Sequence, residues 1–322
     1  MSSPLSSPTS RPPASAGSSA PTDHHLDRYL RTPRHIATTK SPDNSFAAVI
    51  VDPARGVVRA EDVFGEGYVD ALAVLTRRTA VELQAAVDWT RATFTPTVDV
   101  AFTAPYRSPR KIWGIGLNYV EHASDLGQKA PDDEPASFIK GDHTIIGPGD
   151  PITIPWQSQR TTAEAELGIV IGRECRNVSE GEALNYAWGV VPVLDQTAED
   201  ILARNPRFLT RSKNFPGFFS FGPHITPMGE VLDRFGNLGA IAVATVLNGS
   251  VHRSNTVANM TFSPAFLISF HSKVMPLYPG DVISTGTPGA VHIRAGDVAE
   301  CRIDGIGTLR NPVVAGEPDP EA

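Results

Sequence analysis

The stretch Thr161-Thr162-Ala163-Glu164-Ala165-Glu166-Leu167-Gly168-Ile169-Val170-Ile171-Gly172 decides how the rest of the chain is read. Leu167 to Ile171 is a short apolar run, rich in β-branched residues and closed by Gly172, which predicts a buried strand with two glutamates just upstream. Side chains alternate along a strand, so Glu164 and Glu166 point to one face. Two like charges at the lip of an apolar segment repel one another and lose hydration unless a cation lies between them. Downstream, Trp188 to Leu194 reads as a second apolar strand that delivers Asp195 at its end. A lone strand-end aspartate is usually a turn or helix cap, and Thr197 to Leu202 has helical character. The trio says more: three acidic side chains on neighbouring core strands form an expected all-oxygen site for Mg2+, Mn2+ or Ca2+.

Composition bounds what surrounds that site. The chain has 322 residues, 41% of them hydrophobic, enough for a core in one large domain or two ordinary ones. A net charge of −7 without a basic cluster argues against nucleic acid or an anionic membrane as partner. No apolar run approaches the ~20 residues of a transmembrane helix. Cys175 and Cys301 form no CxxC and no disulfide framework, so a reducing, cytoplasmic location is expected. Residues 1–34 are read as a disordered tail rich in Ser, Pro and Ala, without the apolar core of a secretory signal. Arg11 with no acid before Asp23 leaves an organellar transit segment as the weaker alternative.

Residues 35–107 read as a small α+β domain. Phe46 to Val51 is a strand, Asp52 to Gly56 a turn and Val57-Val58 the start of a return strand. Thr79 is a plausible N-cap for a helix to Thr93 that carries Val81, Leu83, Ala86, Val87 and Trp89. Pro96, Pro105 and Pro109 mark a linker. Residues 108–316 then read as a mainly β domain of short strands and turns, followed by a tail, 317–322. Lys111 to Tyr119 is a strand entering a glycine turn, Ser137 to Lys140 a strand, and Ser179 a cap whose partner in a capping box is Glu182.

Three further segments carry candidate chemistry. Val120 to Gly127 has helical tone, so His122 and Asp125, three apart, can touch; a carboxylate that orients an imidazole makes a general base near neutral pH. A surface His and Asp near a helix end is the ordinary reading of that pair. Lys213 sits in the glycine- and phenylalanine-rich segment Thr210 to Pro223 and would stabilise an anionic intermediate, although most lysines simply face solvent. Pro279 to Gly289 is a strand ending in a hydroxyl- and glycine-rich loop that offers N–H groups to a substrate carboxylate or carbonyl. There is no GxSxG elbow, P-loop or HExxH motif.

The order of these pieces resembles the fumarylacetoacetate hydrolase family, and within it the acylpyruvate-cleaving branch. The resemblance rests on Gly116-Leu117-Asn118-Tyr119 with His122 and Asp125, Glu164-Ala165-Glu166-Leu167, Asp195 with Ala198 and Asp200, Lys213 with Phe215, Gly222-Pro223, Pro279-Gly280-Asp281-Val282-Ile283, Thr285-Gly286-Thr287-Pro288 and Gly305-Ile306-Gly307, over roughly residues 108 to 315. It implies a mixed β-roll catalytic domain, usually in a homodimer, that binds Mg2+ or Mn2+ through Glu164, Glu166 and Asp195 and acts on a small-molecule substrate. That substrate would be a β-diketo acid, a 2-oxo acid or an enol, transformed by C–C hydrolysis, decarboxylation or isomerisation. By the same resemblance His122, held by Asp125, would activate water, Lys213 would assist, and Lys140, Tyr119, Gly286 and Thr287 would contact substrate. The chain departs from the family pattern where an arginine and a glutamine are usual, at Glu199 and Leu202; a reversed charge there should disfavour a small dicarboxylate. A metal-dependent C–C hydrolase is the leading expectation, and a decarboxylase, an isomerase or a non-hydrolytic member of the scaffold is the alternative.

Overall fold

A computed structural model describes residues 34–65, 67–85, 89, 91–121 and 130–318. The expectations for the N-terminal tail, for His122 and for Asp125 lie outside the described residues. Two β-sheets dominate, with short helices around them, as the mainly β, α+β reading expected. The larger sheet starts with an antiparallel meander of Gly56–Arg59, Phe46–Asp52 and His35–Lys40, and the last of these pairs with His224–Pro227. It continues through Ala187–Ala198, Thr161–Ile171, Val282–Ser284 and Ile112–Gly116 to Ala136–Lys140. The smaller sheet runs Ser250–Thr256, Ala242–Leu247, Val298–Ile303, Gly307–Ala315 and Ile152–Ile154, and its last pair is parallel.

The 161–171 strand is buried along its whole length because each of its faces meets a core. Ala163, Ala165, Leu167, Ile169 and Ile171 pack in a cluster with Val243, Ala299, Ile303 and Leu309 of the smaller sheet. On the opposite face Val170 joins Val191, Val193, Phe219 and Phe221. That face also bears Glu164 and Glu166, which follow from Val170 by strand alternation.

Here the structure corrects the sequence reading. The strand begins at Thr161, so the glutamates lie inside an 11-residue strand and not at its lip. The partner strand extends to Ala198, so Asp195 lies inside a 12-residue strand and not at its end. Antiparallel pairing sets Asp195 directly opposite Glu164, and Val193 opposite Glu166. Polar residues persist so deep in a sheet because the ladder satisfies their backbone and neighbouring hydroxyl and ammonium groups satisfy their side chains.

Local signals fare unevenly. Thr79 starts a helix as expected, and Glu82 adds a reciprocal cap not read from the sequence, with Glu82 N donating to Thr79 Oγ1 at 3.1 Å and Thr79 N to Glu82 Oε2 at 2.8 Å. The helix is Ala80–Ala85, and residues 91–93, expected to be helical, are not. The capping box expected at Ser179 is absent: Ser179 makes no side-chain cap, and Glu182 accepts from Asn185 Nδ2 at 3.0 Å instead. Among the described residues no helix is long and apolar enough to cross a membrane.

Candidate active site

Three buried carboxylates meet on the inner face of the 161–171 and 187–198 strand pair. Glu164 is 9% exposed, Glu166 1% and Asp195 0%, and one oxygen from each lies within 4.8 Å of the others. Two buried lysines reach the same oxygens. Lys213 ends the helix Leu209–Lys213 and donates to Glu164 Oε2 at 2.9 Å and to Asp195 Oδ2 at 2.6 Å. Lys140, at the end of Ala136–Lys140, ion-pairs Asp195 Oδ1 and donates to the carbonyl of Gln196 at 3.2 Å. Three carboxylates against two ammonium groups leave one negative charge if all are ionised.

The environment distributes that charge unevenly. Burial, reinforced by Asp195, pushes the Glu166 carboxyl up to about 8, against the pull of Lys213. Burial also pulls Lys140 down to about 8, although Asp195 works in the opposite sense. Lys213 is raised: burial would lower it, but Asp195, Glu164 and Glu166 together outweigh burial. The two carboxylates offset the cost of burying the Lys213 ammonium, so the cluster accommodates positive charge.

Hydroxyl groups orient the glutamates. Glu164 Oε1 accepts from Thr197 Oγ1 at 2.6 Å and from Thr162 Oγ1 at 3.2 Å. Glu166 Oε2 accepts from Ser284 Oγ at 2.6 Å and from the Gly286 amide at 2.9 Å. Of the expected substrate contacts, Gly286 and Thr287 lie on this loop and bond to protein groups, whereas Lys140 ends the 136–140 strand and Tyr119 follows the 112–116 strand. Gly286 spends its N–H on Glu166, and Thr287 Oγ1 accepts from Gly289 N at 3.2 Å. Gly286 has φ +99° and a Cβ there would lie 2.8 Å from Asn118 Cβ, so glycine is required on both counts. Asn118 pins this loop by donating to the carbonyls of Thr285 at 2.7 Å and Phe262 at 3.0 Å. Tyr119 is fully buried, and its hydroxyl has no hydrogen-bond partner among the described residues. Burial, then Glu166, raise its pKa.

Sequence reasoning missed Thr162, Thr197, Ser284 and Asn118. For the two threonines the signal was present, since each stands two residues from an acid of the trio on a strand and therefore shares its face.

The donor set is all oxygen and anionic, which suits a hard divalent cation. The comparisons with known proteins agree with this architecture. Residues 111–314 match the profile of the fumarylacetoacetate (FAA) hydrolase C-terminal domain. The chain belongs to the fumarylacetoacetate hydrolase family. It is 40% identical over 220 residues to a protein of Archaeoglobus fulgidus, covering 68% of this chain and 84% of that one. It is 36% identical over 225 residues to the mitochondrial oxaloacetate tautomerase fahd2 of Xenopus laevis, covering 67% and 69%. Among solved structures, a fumarylacetoacetate hydrolase from Exiguobacterium antarcticum aligns with TM-score 0.75 at 27% identity, covering 88% of this chain and 100% of that one. A 5-carboxymethyl-2-hydroxymuconate delta-isomerase from Mycobacterium smegmatis aligns with TM-score 0.68 at 29% identity over the same shares. Hydrolase, isomerase and tautomerase names thus occur among this chain's relatives in the family, and the buried acidic trio is able to bind a divalent metal.

Glu199, where the family usually has arginine, opens the helix Glu199–Arg204 and does not stand as a lone anion. Its carboxylate pairs with Arg160 Nε at 3.0 Å, and its amide donates to the Arg160 carbonyl at 2.9 Å. The Arg160 side chain of this pair is largely exposed, so the negative charge that Glu199 introduces is only screened by it.

Proposed function

We propose that this protein is a divalent-metal-dependent enzyme that cleaves a C–C bond of a β-diketo acid or related 1,3-dicarbonyl by hydrolysis. The observation that carries the reading is the convergence of Glu164, Glu166 and Asp195, with Lys140 and Lys213, in one buried cluster. Glu164, Glu166 and Asp195 would hold Mg2+ or Mn2+. The ion, when bound, supplies Lewis acidity toward substrate oxygens and offsets the negative charge that develops on them. Lys213 and Lys140 add fixed positive charge in a water-poor site, where it costs no reorganisation during the reaction. Gly286, Thr287 and Tyr119 would orient the substrate oxygens. His122, held by Asp125, would take the proton of the attacking water. The enzyme is read as a cytoplasmic homodimer.

A second reading, tautomerisation or decarboxylation of a 2-oxo acid, is favoured by the 36% identity to the Xenopus protein named an oxaloacetate tautomerase. It needs the acidic trio and the lysines but no activated water. Turnover of acetylpyruvate, fumarylpyruvate, oxaloacetate and a neutral 1,3-diketone, with Mg2+, Mn2+ or EDTA, tests both. EDTA-sensitive cleavage that His122→Ala reduces ~100-fold or more supports hydrolysis. Enol–keto exchange of oxaloacetate that survives His122→Ala, without cleavage of any acylpyruvate, overturns hydrolysis in favour of the second reading.

A further inference from the structure

We infer that Thr197, Thr162 and Ser284 are positioning residues that decide which oxygen of each glutamate a cation receives, and so tune the site for a small six-coordinate ion. The inference rests on the metal-dependent reading above. Each glutamate has one oxygen held by hydroxyl or amide donors of its own protein. Glu164 Oε1 is held by Thr197 Oγ1 at 2.6 Å and Thr162 Oγ1 at 3.2 Å, which leaves Oε2, the oxygen that now pairs with Lys213. Glu166 Oε2 is held by Ser284 Oγ at 2.6 Å and Gly286 N at 2.9 Å, which leaves Oε1. Neither carboxylate can turn both oxygens to one ion without losing two hydrogen bonds in a site where burial makes an unpaired donor costly.

The anchors are rigid. Thr162 and Thr197 face each other across the 161–171 and 187–198 pair, and Ser284 sits on the strand hydrogen-bonded to the other side of 161–171, opposite Gly168. All three are buried, at 3%, 3% and 0% exposure. One-oxygen ligation suits the octahedral shell of Mg2+ or Mn2+, whereas Ca2+ favours more oxygens and readily takes carboxylates through both. Partners behind first ligands typically set metal affinity by 10- to 100-fold. Loss of either hydroxyl should therefore weaken Mn2+ and also relax the preference against Ca2+.

The test is a titration of the full chain with Mn2+, followed by the EPR signal of the free ion, with Ca2+ as competitor. Thr197→Val keeps shape and removes the hydroxyl; Thr197→Ser restores it; Ser284→Ala removes the other anchor. The expected result is a roughly 10- to 100-fold rise in the Mn2+ dissociation constant for Thr197→Val and Ser284→Ala, a smaller Mn2+ to Ca2+ preference in both, and near-normal values for Thr197→Ser. Unchanged affinity and preference in Thr197→Val and Ser284→Ala overturn the inference while leaving the metal-dependent reading intact. A Thr197→Ser variant as weak as Thr197→Val overturns it for Thr197, since packing of the methyl group would then account for the effect. A wild-type chain that takes up no Mn2+ overturns both the inference and the reading beneath it.

Discussion

Lys213→Met isolates the electrostatics of the cleft. Lys213 is 5% exposed, and its ammonium lies 2.9 Å from Glu164 and 2.6 Å from Asp195 and 4.7 Å from the centroid of the Phe138 ring. Methionine retains most of the stem and its packing but removes the charge, so Glu164 and Asp195 remain buried and opposite one another. Breaking a buried ion pair by deleting one partner costs roughly 3–5 kcal/mol. Protonation of one carboxylate limits the loss, at about 1.4 kcal/mol per unit of pKa displaced. In EDTA the variant should lose about 3 kcal/mol, equivalent to roughly 6–12 °C in Tm for a domain of this size. Divalent cation should reverse the deficit, because it replaces the missing charge without competing with an ammonium for the same oxygens. Urea unfolding followed by tryptophan fluorescence, in EDTA and in Mn2+, reads both effects. A variant as stable as wild type in EDTA, or one that Mn2+ stabilises no more than wild type, would refute the reasoning.

Two further outcomes follow from other parts of the fold. His271 is 1% exposed and its Nε2 accepts from Trp113 Nε1 at 3.2 Å, so that nitrogen carries no proton, and burial lowers its pKa to about 4. Between the ordinary value near 6.5 and about 4 the unfolded chain binds a proton that the folded chain refuses, so stability falls as pH drops through that window. From pH 7.5 to 5 this residue should account for about 2 kcal/mol, and His271→Gln, which keeps an acceptor for Trp113, should flatten the pH profile of the unfolding free energy from urea titrations by that amount. Gly189 lies where the 187–198 and 224–227 strands pair, and a Cβ there would lie 2.0 Å from the Thr226 carbonyl oxygen. Gly189→Ala should cost about 1–3 kcal/mol by denaturant unfolding, and a neutral result would mean that the two strands part easily.

Much of this architecture is legible in local pattern, and the rest depends on partners distant in sequence. The hairpin at 46–59 follows from a β-branched run, a Pro- and Gly-containing turn and a return run, and the strands pair as those residues suggest. The acidic trio was visible because acids flanking apolar runs are conspicuous. The extent of the two strands was not visible, because Thr161 to Glu166 and Asp195 to Ala198 look polar until Lys213, Lys140 and Ser284 arrive from far along the chain. The helix Pro264–Val274 carried a readable start, Ser263 as N-cap with Pro264 in the first turn, but the unbroken apolar run Ala265 to Ile268 hid its period. Glu199 depends in the same way on a distant partner: Arg160, thirty-nine positions earlier, pairs with its carboxylate, which local sequence does not indicate.

The account stands most directly on whether the trio binds a divalent cation. Mn2+ titration of the full chain, with wild type compared to Glu164→Gln, is the decisive measurement, since the amide preserves shape while removing one anionic ligand. The account predicts one ion per chain in the wild type and at least 100-fold weaker uptake in Glu164→Gln, a loss of roughly 2.7 kcal/mol or more. Absence of uptake by the wild type, or equal uptake by both proteins, would contradict it.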